Sequence, residues 1–295
     1  GVSQLVDVTV LNVNPTVVPL GLLGPINEGD TLTIDDLNGF SFTDPGILDT
    51  HTSSIVWGDA SPSYVAGVNE IPGTAPVLNL TPRVDTSGNV TGTHTYADDD
   101  SDDTYTITAT VTDKDAGIGT YTRDITVLNV APVVSVLINP ATLSINEGDT
   151  ITGSGSFIDP GADTWYATVD YGDGGGAQTL VLSDKTFTLS HIYADNSTTT
   201  YPVTISVVDD DGGVGINVTN VTVLNVAPLI TSISSSGGTF SDPGADVWSG
   251  IIDFGDGSND VLTIDGTAKT FTIPSHTYAC GSHTDSNGNS VTDYC

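Results

Sequence analysis

The sequence repeats the same phrases in the same order, and this repetition constrains its fold more than any other feature. The phrase VTVLNVNP at residues 8–15 returns as ITVLNVAP at 125–132 and as VTVLNVAP at 221–228. Between the copies, a DPG turn, a GD turn and a histidine-containing segment recur in register, and INEGDT occurs twice. Such self-similarity predicts a row of similar folding units, each of which packs against its neighbours.

The repeats also set the predicted domain boundaries. The third repeat lacks the INEGD phrase, the aspartate-rich VTDxDxG phrase and the closing VTVLNVAP phrase, so we expect it to be incomplete. Each copy of the closing phrase ends in proline, which restricts the backbone and favours short, stiff joints. The predicted domains are a leading strand over 1–14, complete domains over 15–131 and 132–227, and an incomplete domain over 228–295.

Apolar and polar residues alternate within each repeat. In TYTITATVT (104–112) one side of the chain is apolar and the other carries threonine, and YPVTISVVD (201–209) has the same period. A period of two between Gly, Asp and Pro turns is typical of half-buried antiparallel strands, and no long window has helical spacing. About seven such strands per repeat predict an all-β fold of tandem immunoglobulin-like sandwiches. The residues predicted to face the core are Tyr105, Ile107, Ala109, Val111, Val203, Ile205 and Val207.

Several phrases resemble the PKD family (polycystic kidney disease repeats), in the form found in long prokaryotic surface proteins. DYGDGG (170–175) and DFGDGS (253–258) are similar to the family signature WDFGDGS, and HTYA and VLNVAP are similar to its later strands. The first repeat departs from the signature at Ala60, where the family has glycine. The resemblance implies extracellular β-sandwich modules that serve as spacers, adhesive units or lattice components, and it implies no catalysis.

The charge of the chain is strongly one-sided. Five Lys and Arg stand against 37 acidic residues, which gives a formal net charge of −32, and only Glu28, Glu70 and Glu147 are glutamate. Nucleic acids and anionic membranes are therefore poor partners. Aspartate favours turns and can chelate cations from short loops. Two interpretations stay open: a solvated acidic surface that serves solubility or high salt, and a surface that bound divalent cations partly neutralise.

The aspartate-rich loops are the best candidates for a cation site. VTDKDAG (111–117) and VVDDDGG (207–213) each place two aspartates two residues apart, and the NEGD and DPG loops add further acids. Calcium binds six to eight oxygens, with a Kd of about 10⁻⁴ to 10⁻³ M in extracellular modules. We predict calcium, with Glu147, Asp209 and Asp211 as the favoured set, although a single aspartate in such a loop more often only makes a turn. The candidate ligands are Glu28, Asp113, Asp115, Glu147, Asp209 and Asp211.

Other polar motifs receive a structural interpretation. ADDDSDD (97–103) is typical of a solvated hairpin tip, with a further cation site as the alternative. The GD turns lack the lysine and the helix of a phosphate loop, so Asp59, Asp173 and Asp256 are predicted to be turn residues. One histidine recurs at an equivalent position in every repeat, which favours packing and hydrogen bonding over catalysis. These histidines are His94, His191 and His276.

Two covalent modifications are candidates. The chain has two cysteines, Cys280 and Cys295, and a disulfide between them would close a short loop in an oxidising compartment. Asn217 and Asn220 lie three residues apart on one predicted strand and therefore face opposite sides of it. The N-x-[ST] triplets that are candidate glycosylation sites begin at Asn79, Asn89, Asn196, Asn217 and Asn220.

The leading copy of the closing phrase has two explanations. In the first, it is the last strand of a preceding domain in a longer chain. In the second, it donates a strand to the open third repeat of another copy, and this head-to-tail contact would build a filament. Both explanations make the chain part of an array.

Together these features predict an extracellular, cell-surface structural protein. It would be a calcium-stiffened module of an adhesin, a surface layer or a filament, and would associate with itself or with neighbouring domains of a longer chain. A polysaccharide or a surface protein is a further candidate partner. The alternative is a non-catalytic accessory region of a secreted hydrolase that binds its substrate or a carbohydrate. We predict no enzyme, no catalytic residue, no nucleic-acid partner and no membrane insertion.

Overall fold

The computed structural model describes most of the chain. Within the described residues the chain forms 27 strands and no helix, so no helix there could span a membrane. This agrees with the period of two in the sequence and confirms the all-β prediction. The described residues are 3–5, 7–61, 64–65, 87–99, 102–278, 281–284 and 286–292.

The first repeat forms two main sheets and a short strand pair. Its sheets have the strand orders β1-β4-β7 and β2-β10-β9-β5-β6, and β3 pairs with β8. The strands are β1 (Thr16–Pro19), β2 (Ile26–Asn27), β3 (Thr31–Ile34), β4 (Phe40–Thr43), β5 (His51–Val56), β6 (Tyr64–Val65), β7 (Ser87–Val90), β8 (Gly92–Thr95), β9 (Thr104–Asp113) and β10 (Ile118–Leu128).

The second repeat also forms two main sheets. Its sheets have the orders β11-β13-β17-β16 and β12-β19-β18-β14-β15. The strands are β11 (Val133–Asn139), β12 (Ser144–Asn146), β13 (Thr150–Ile158), β14 (Tyr166–Asp170), β15 (Gln178–Leu180), β16 (Leu182–Ser183), β17 (Thr186–Ile192), β18 (Tyr201–Val208) and β19 (Val214–Leu224).

The third repeat forms one four-stranded sheet, β20-β21-β25-β24, and two strand pairs, β22-β23 and β26-β27. The strands are β20 (Leu229–Ser234), β21 (Gly237–Ser241), β22 (Ile251–Asp253), β23 (Asn259–Val261), β24 (Thr263–Asp265), β25 (Thr270–Thr272), β26 (Ser282–Thr284) and β27 (Ser290–Thr292).

The chain folds into two compact units. One segment dominates unit 1, and two short segments of the second repeat complete it. The predicted repeat boundaries remain predictions from the sequence. Unit 1 is Gly1–Val134, Phe157–Ala167 and Ser206–Ile216, and unit 2 is Ser135–Ser156, Thr168–Ile205 and Asn217–Cys295.

The alternation in the sequence corresponds to alternating burial. Ile107, Ala109 and Val111 on β9 are fully buried, and the apolar positions of β18 are buried in the same way. In the first repeat, β9 pairs with β10 and β5 in antiparallel register, and its apolar face lies in a core that includes Phe40 and Tyr96. The predicted core face is confirmed, except that Tyr105 is only half-buried at the edge of this core.

A parallel strand pair fixes each NEGD loop. Ile26 of β2 lies opposite Val127 of β10, and β12 pairs with β19 in the same way. The loop glycines Gly29 and Gly148 have φ values of 73° and 80°, a conformation that favours glycine. A Cβ on Gly29 would lie 2.9 Å from the Cβ of Pro160, so the DPG loop of the second repeat leaves no room for a side chain there.

The GD turns are held by the repeated histidines. His191 Nε2 lies 2.8 Å from Asp173 Oδ2, and its ring stacks on Tyr171 with a centroid separation of 4.0 Å. The buried Tyr193 donates its hydroxyl to the Tyr171 carbonyl at 3.0 Å. This geometry agrees with the predicted packing and hydrogen-bonding role. The equivalent pairs are His94–Asp59 at 2.6 Å and His276–Asp256 at 2.8 Å.

The leading phrase contacts the first repeat as the second copy contacts the second repeat. Asn12 Nδ2 donates to Asp113 Oδ2 at 2.9 Å, and Asn129 Nδ2 donates to Asp209 Oδ1 at 3.3 Å. The asparagine of the phrase therefore holds the aspartate-rich loop that follows. Residues 7–15 form no strand and their valines are exposed, and both explanations of the leading phrase stay predictions.

Candidate cation site

Six carboxylates from four loops gather in unit 1, and we call them the joint cluster. The NEGD loop (27–30) and the YADD loop (96–99) of the first repeat supply three of them. The DPG loop and the aspartate-rich loop of the second repeat supply the others. They form two overlapping groups, and within each group one oxygen per residue lies within 4.8 Å of the others. The first group is Glu28, Asp98, Asp99 and Asp163, and the second is Asp163, Asp210 and Asp211.

Backbone hydrogen bonds fix Glu28 at the end of β10. Its amide donates to the Leu128 carbonyl at 3.0 Å, and its Oε1 accepts the Val130 amide at 2.8 Å. The Glu28 side chain is 1% exposed. One carboxylate oxygen therefore holds the segment that follows β10, and the other oxygen is free to face the joint cluster.

Two further bonds bring the loops of the second repeat to this point. The Ala162 amide donates to the Ala97 carbonyl at 2.9 Å, which places the DPG loop beside the YADD loop. The Thr164 amide donates to Asp210 Oδ1 at 2.9 Å, which ties the DPG loop to the aspartate-rich loop. The carboxylates are thus held together by the backbone although they repel one another.

Several oxygens of the joint cluster are buried without a hydrogen-bond partner. They are Glu28 Oε2, Asp98 Oδ1, Asp99 Oδ1 and both carboxylate oxygens of Asp163. Asp163 is 5% exposed and Asp99 is 8% exposed. A buried, unpaired carboxylate is costly, so such oxygens need a proton, a water molecule or a cation as a partner.

The surroundings within the joint cluster raise the pKa of two of its carboxyl groups. Burial, followed by the charges of Glu28 and Asp159, raises the pKa of Asp163 to about 8. Burial, a hydrogen bond with Asp103 and the charge of Asp211 raise the pKa of Asp99 to about 7. In both cases burial is the main cause and nearby negative charge adds to it, and a divalent cation would offset both.

The donor set fits calcium. Carboxylate oxygens are hard ligands, and calcium takes six to eight of them in flexible geometry. Two neighbouring buried oxygens, Asn129 Oδ1 and Asp209 Oδ2, also lack hydrogen-bond partners and are further candidate ligands. Among the described residues, no member of the joint cluster takes part in an ion pair with Lys, Arg or His. Those same carboxylates would hold the ion.

Two other acidic clusters occupy related positions. The N-terminal cluster in unit 1 consists of Asp44, Asp49 and Asp113, which are all buried. The C-terminal cluster in unit 2 consists of Glu147, Asp242 and Asp246. In the C-terminal cluster, Glu147 Oε1 accepts the Val226 amide at 2.6 Å and Oε2 accepts the Asn196 amide at 3.3 Å. Both oxygens of Glu147 therefore have partners, whereas only Oε1 of Glu28 has one.

The favoured set of predicted ligands is divided between two clusters. That set combines Glu147 with Asp209 and Asp211, but Glu147 groups with the DPG loop of the third repeat. Asp211 groups with Asp163 in unit 1. The physical reason is that each NEGD loop meets the loops of the following repeat, as Glu28 does. Asp209 lies beside the joint cluster, and Asp113 belongs to the N-terminal cluster. Asp115 accepts a hydrogen bond from Lys114.

Three acidic positions differ from the interpretation of the sequence. The acidic run predicts a solvated hairpin tip at Asp98 and Asp99, but Asp99 is buried and both belong to the joint cluster. The alternative of a further cation site stays a prediction. Asp163, which both groups share, is absent from the predicted ligands. The recurrence of DPGAD in the second and third repeats, with Asp246 at the equivalent position, is the signal that could have found it.

The modification candidates are only partly described. Cys280, Cys295 and Asn79 lie outside the described residues, so the disulfide and that sequon stay predictions. Asn89 and Asn220 are exposed, whereas Asn196 and Asn217 are half-buried. On β19 the two sequon asparagines face opposite sides, as expected.

The fold defines a class of all-β proteins built from tandem immunoglobulin-like sandwiches. Within that class, residues 129–223 match the family model of the PKD domain. This segment covers most of the second repeat, and the resemblance noted in its phrases is confirmed there. The comparison with curated proteins gave no match.

Solved structures with similar folds include other tandem β-domains. The PKD domain of an M14-like peptidase from Thermoplasmatales archaeon SCGC AB-540-F20 is 20% identical, with 32% of this chain and 98% of that chain covered and a TM-score of 0.28. A tetra-tandem repeat from the extending region of a large adhesion protein is 16% identical, with coverages of 95% and 72% and a TM-score of 0.40. The protocadherin GammaB4 extracellular domain is 18% identical at a TM-score of 0.30, and this chain, 90% of which is covered, spans 44% of it.

Proposed function

We propose that the chain is a non-catalytic structural segment of an extracellular repeat protein, and that calcium bound by the joint cluster stiffens it. The observation that carries this proposal is the group of buried carboxylate oxygens without partners around Asp163. An ion there would bind loops of the first and second repeats at once. It would therefore resist bending and local opening at this point.

The extracellular setting is part of the proposal, and the calcium affinity expected of extracellular modules agrees with it. Loop sites of this kind bind calcium with a Kd of about 10⁻⁴ to 10⁻³ M, which requires calcium levels typical of the extracellular medium. The net charge of −32 suits a surface that carries bound cations. Adhesion, a surface layer and a filament are all roles that a stiff row of repeats can serve.

Binding of carbohydrate through exposed aromatic rings receives no support from the tryptophans. Trp57 is buried, and Trp165 and Trp248 are half-buried with Nε1 donating to the aspartate of their own DPG loops at 2.9 and 3.1 Å. These rings position acidic loops. The structural role is therefore the one that the described residues favour.

The proposal is tested by pulling single chains with an atomic force microscope in calcium and in a chelator. We expect the unfolding event of the first two repeats to need more force in calcium, because the ion must be lost before the loops separate. A magnesium arm controls for ionic strength, since magnesium demands a smaller octahedral site. Equal forces in all three solutions would contradict the proposal.

A further inference from the structure

The N-terminal cluster shares two kinds of loop with the joint cluster, the DPG loop and the aspartate-rich loop, but within the described part of the chain it has no counterpart of Glu28, Asp98 or Asp99. In both DPG loops an aromatic N–H donor lies 2.9 Å from Oδ2 of the aspartate: His51 Nε2 at Asp44 and Trp165 Nε1 at Asp159. In both aspartate-rich loops the linker asparagine donates to the first aspartate, as described above. The DPG loops and the aspartate-rich loops of the two clusters can therefore be compared position by position.

The clusters differ in their positive charge. Lys114 follows Asp113, whereas the equivalent residue of the second repeat is Asp210. Lys114 Nζ donates to Asp49 and also to Asp115 at 2.5 Å. These two hydrogen bonds are the main reason that the pKa of Lys114 is raised, so the ammonium group stays charged at neutral pH. The chain has only five Lys and Arg, and one of them lies at this cluster.

The hydrogen-bond partners reflect this difference. Among the described residues, no side-chain oxygen of Asp44, Asp49 or Asp113 is buried without a partner, whereas the joint cluster has several. Although burial opposes it, hydrogen bonds from Asn12, Gly117 and the Asp115 amide lower the pKa of Asp113. The N-terminal cluster is thus satisfied by the protein's own groups.

We propose that Lys114 is a tethered cation that takes the place of a metal ion in the N-terminal cluster. The residue after the first aspartate of the aspartate-rich loop then determines the type of cluster. Lysine gives a cluster that holds together without metal, and aspartate gives one that binds calcium. The second half of this statement rests on the proposed function of the joint cluster, whereas the role of Lys114 does not.

The test uses Lys114→Asp in a chain that also carries Asp163→Asn. The second substitution is meant to silence the joint cluster. Calcium binding is measured by isothermal titration, and the thermal midpoint is measured in calcium and in chelator. We expect Lys114→Asp to add one calcium ion per chain, with a Kd of about 10⁻⁴ to 10⁻³ M, to that background. Lys185→Asp makes the same charge change at the turn before β17 and is expected to add none.

Lys114→Met provides a second route if Lys114→Asp does not fold. It removes the charge and keeps the length, so we expect a lower midpoint in chelator and recovery in calcium. The proposal would be overturned if Lys114→Asp bound no more calcium ions per chain than Lys185→Asp does. An unchanged thermal midpoint for Lys114→Met in chelator would also overturn it. If the unmodified chain binds no calcium but Lys114→Asp does, the proposed function fails and the inference about Lys114 stands.

Discussion

Replacing Asp163 by asparagine is expected to stabilise the calcium-free chain and to abolish its stabilisation by calcium. Without metal, Asp163 is a buried carboxylate beside Glu28 and Asp159, and its removal relieves repulsion and desolvation. With metal, the same substitution removes a charged ligand that both groups of the joint cluster share. Most substitutions of buried residues only destabilise, so this change of sign is a specific signature.

The size of the calcium effect follows from mass action. Calcium at about 100 times its Kd stabilises a folded protein by about 2.7 kcal/mol. For a domain of about 150 to 250 residues this raises the thermal midpoint by about 5–10 °C. The Asp163→Asn chain should show a higher midpoint than the unmodified chain in chelator, and a shift near zero on adding calcium.

A matched control removes the effect of net charge. Asp36 is exposed and accepts a hydrogen bond from Asn89, which an asparagine oxygen can also accept. Asp36→Asn should leave both the chelator midpoint and the calcium shift within error of the unmodified chain. Differential scanning calorimetry measures all these midpoints. A lower chelator midpoint for Asp163→Asn, with the calcium shift retained, would show that Asp163 is structural and not a ligand.

In chelator, the thermal midpoint is expected to fall as the pH is raised from 5 to 8. The pKa of Asp163 is about 8 and that of Asp99 about 7 in the folded chain, against about 3.9 for an unfolded aspartate. Between these limits the folded state binds more protons, so stability decreases as the pH rises. The loss begins above about pH 4 and is complete above about pH 8.

Calcium should flatten this pH profile at its alkaline end, because the ion replaces the protons. The carboxylates of the GD turns do not obscure the effect. Despite some burial, hydrogen bonds with Ser61 and with His94 lower the pKa of Asp59, and hydrogen bonds with Ser258 and His276 lower that of Asp256 to about 2. Their contributions are lost only in acid, below the measured range. A midpoint that stays constant or rises from pH 5 to 8 in chelator would contradict the charge balance of the joint cluster.

The sequence was sufficient to predict the strands, because period-two alternation decides which residues are buried. The burial of Ile107 on β9 and of Ile205 on β18 follows from this alternation, and the PKD match lies on the segment where the phrases are best kept. The NEGD loop was correctly recognised as acidic and repeated. Its pairing was not predictable, because alternation says nothing about which loop meets which at the end of a sandwich.

The members of the joint cluster were also not predictable from the sequence alone. Asp99 lies in a run of acids that is typical of solvent exposure, yet it is buried, and the Ala162 amide donates to the Ala97 carbonyl two residues before it. Asp163 lies in a short loop that resembles an ordinary turn. Only the contact between consecutive repeats brings these residues together. Sequence repetition could have suggested the role of Lys114, because the aligned loops differ there in the sign of the charge.

The most direct test of the central claim is a crystal structure of the chain grown in calcium, with the ion identified by anomalous scattering. We expect a calcium ion with oxygens of Glu28, Asp99 and Asp163 at about 2.3–2.6 Å. We expect no ion between Asp49 and Asp115, where Lys114 lies. A structure in calcium with only water among the carboxylates of the joint cluster would contradict the account.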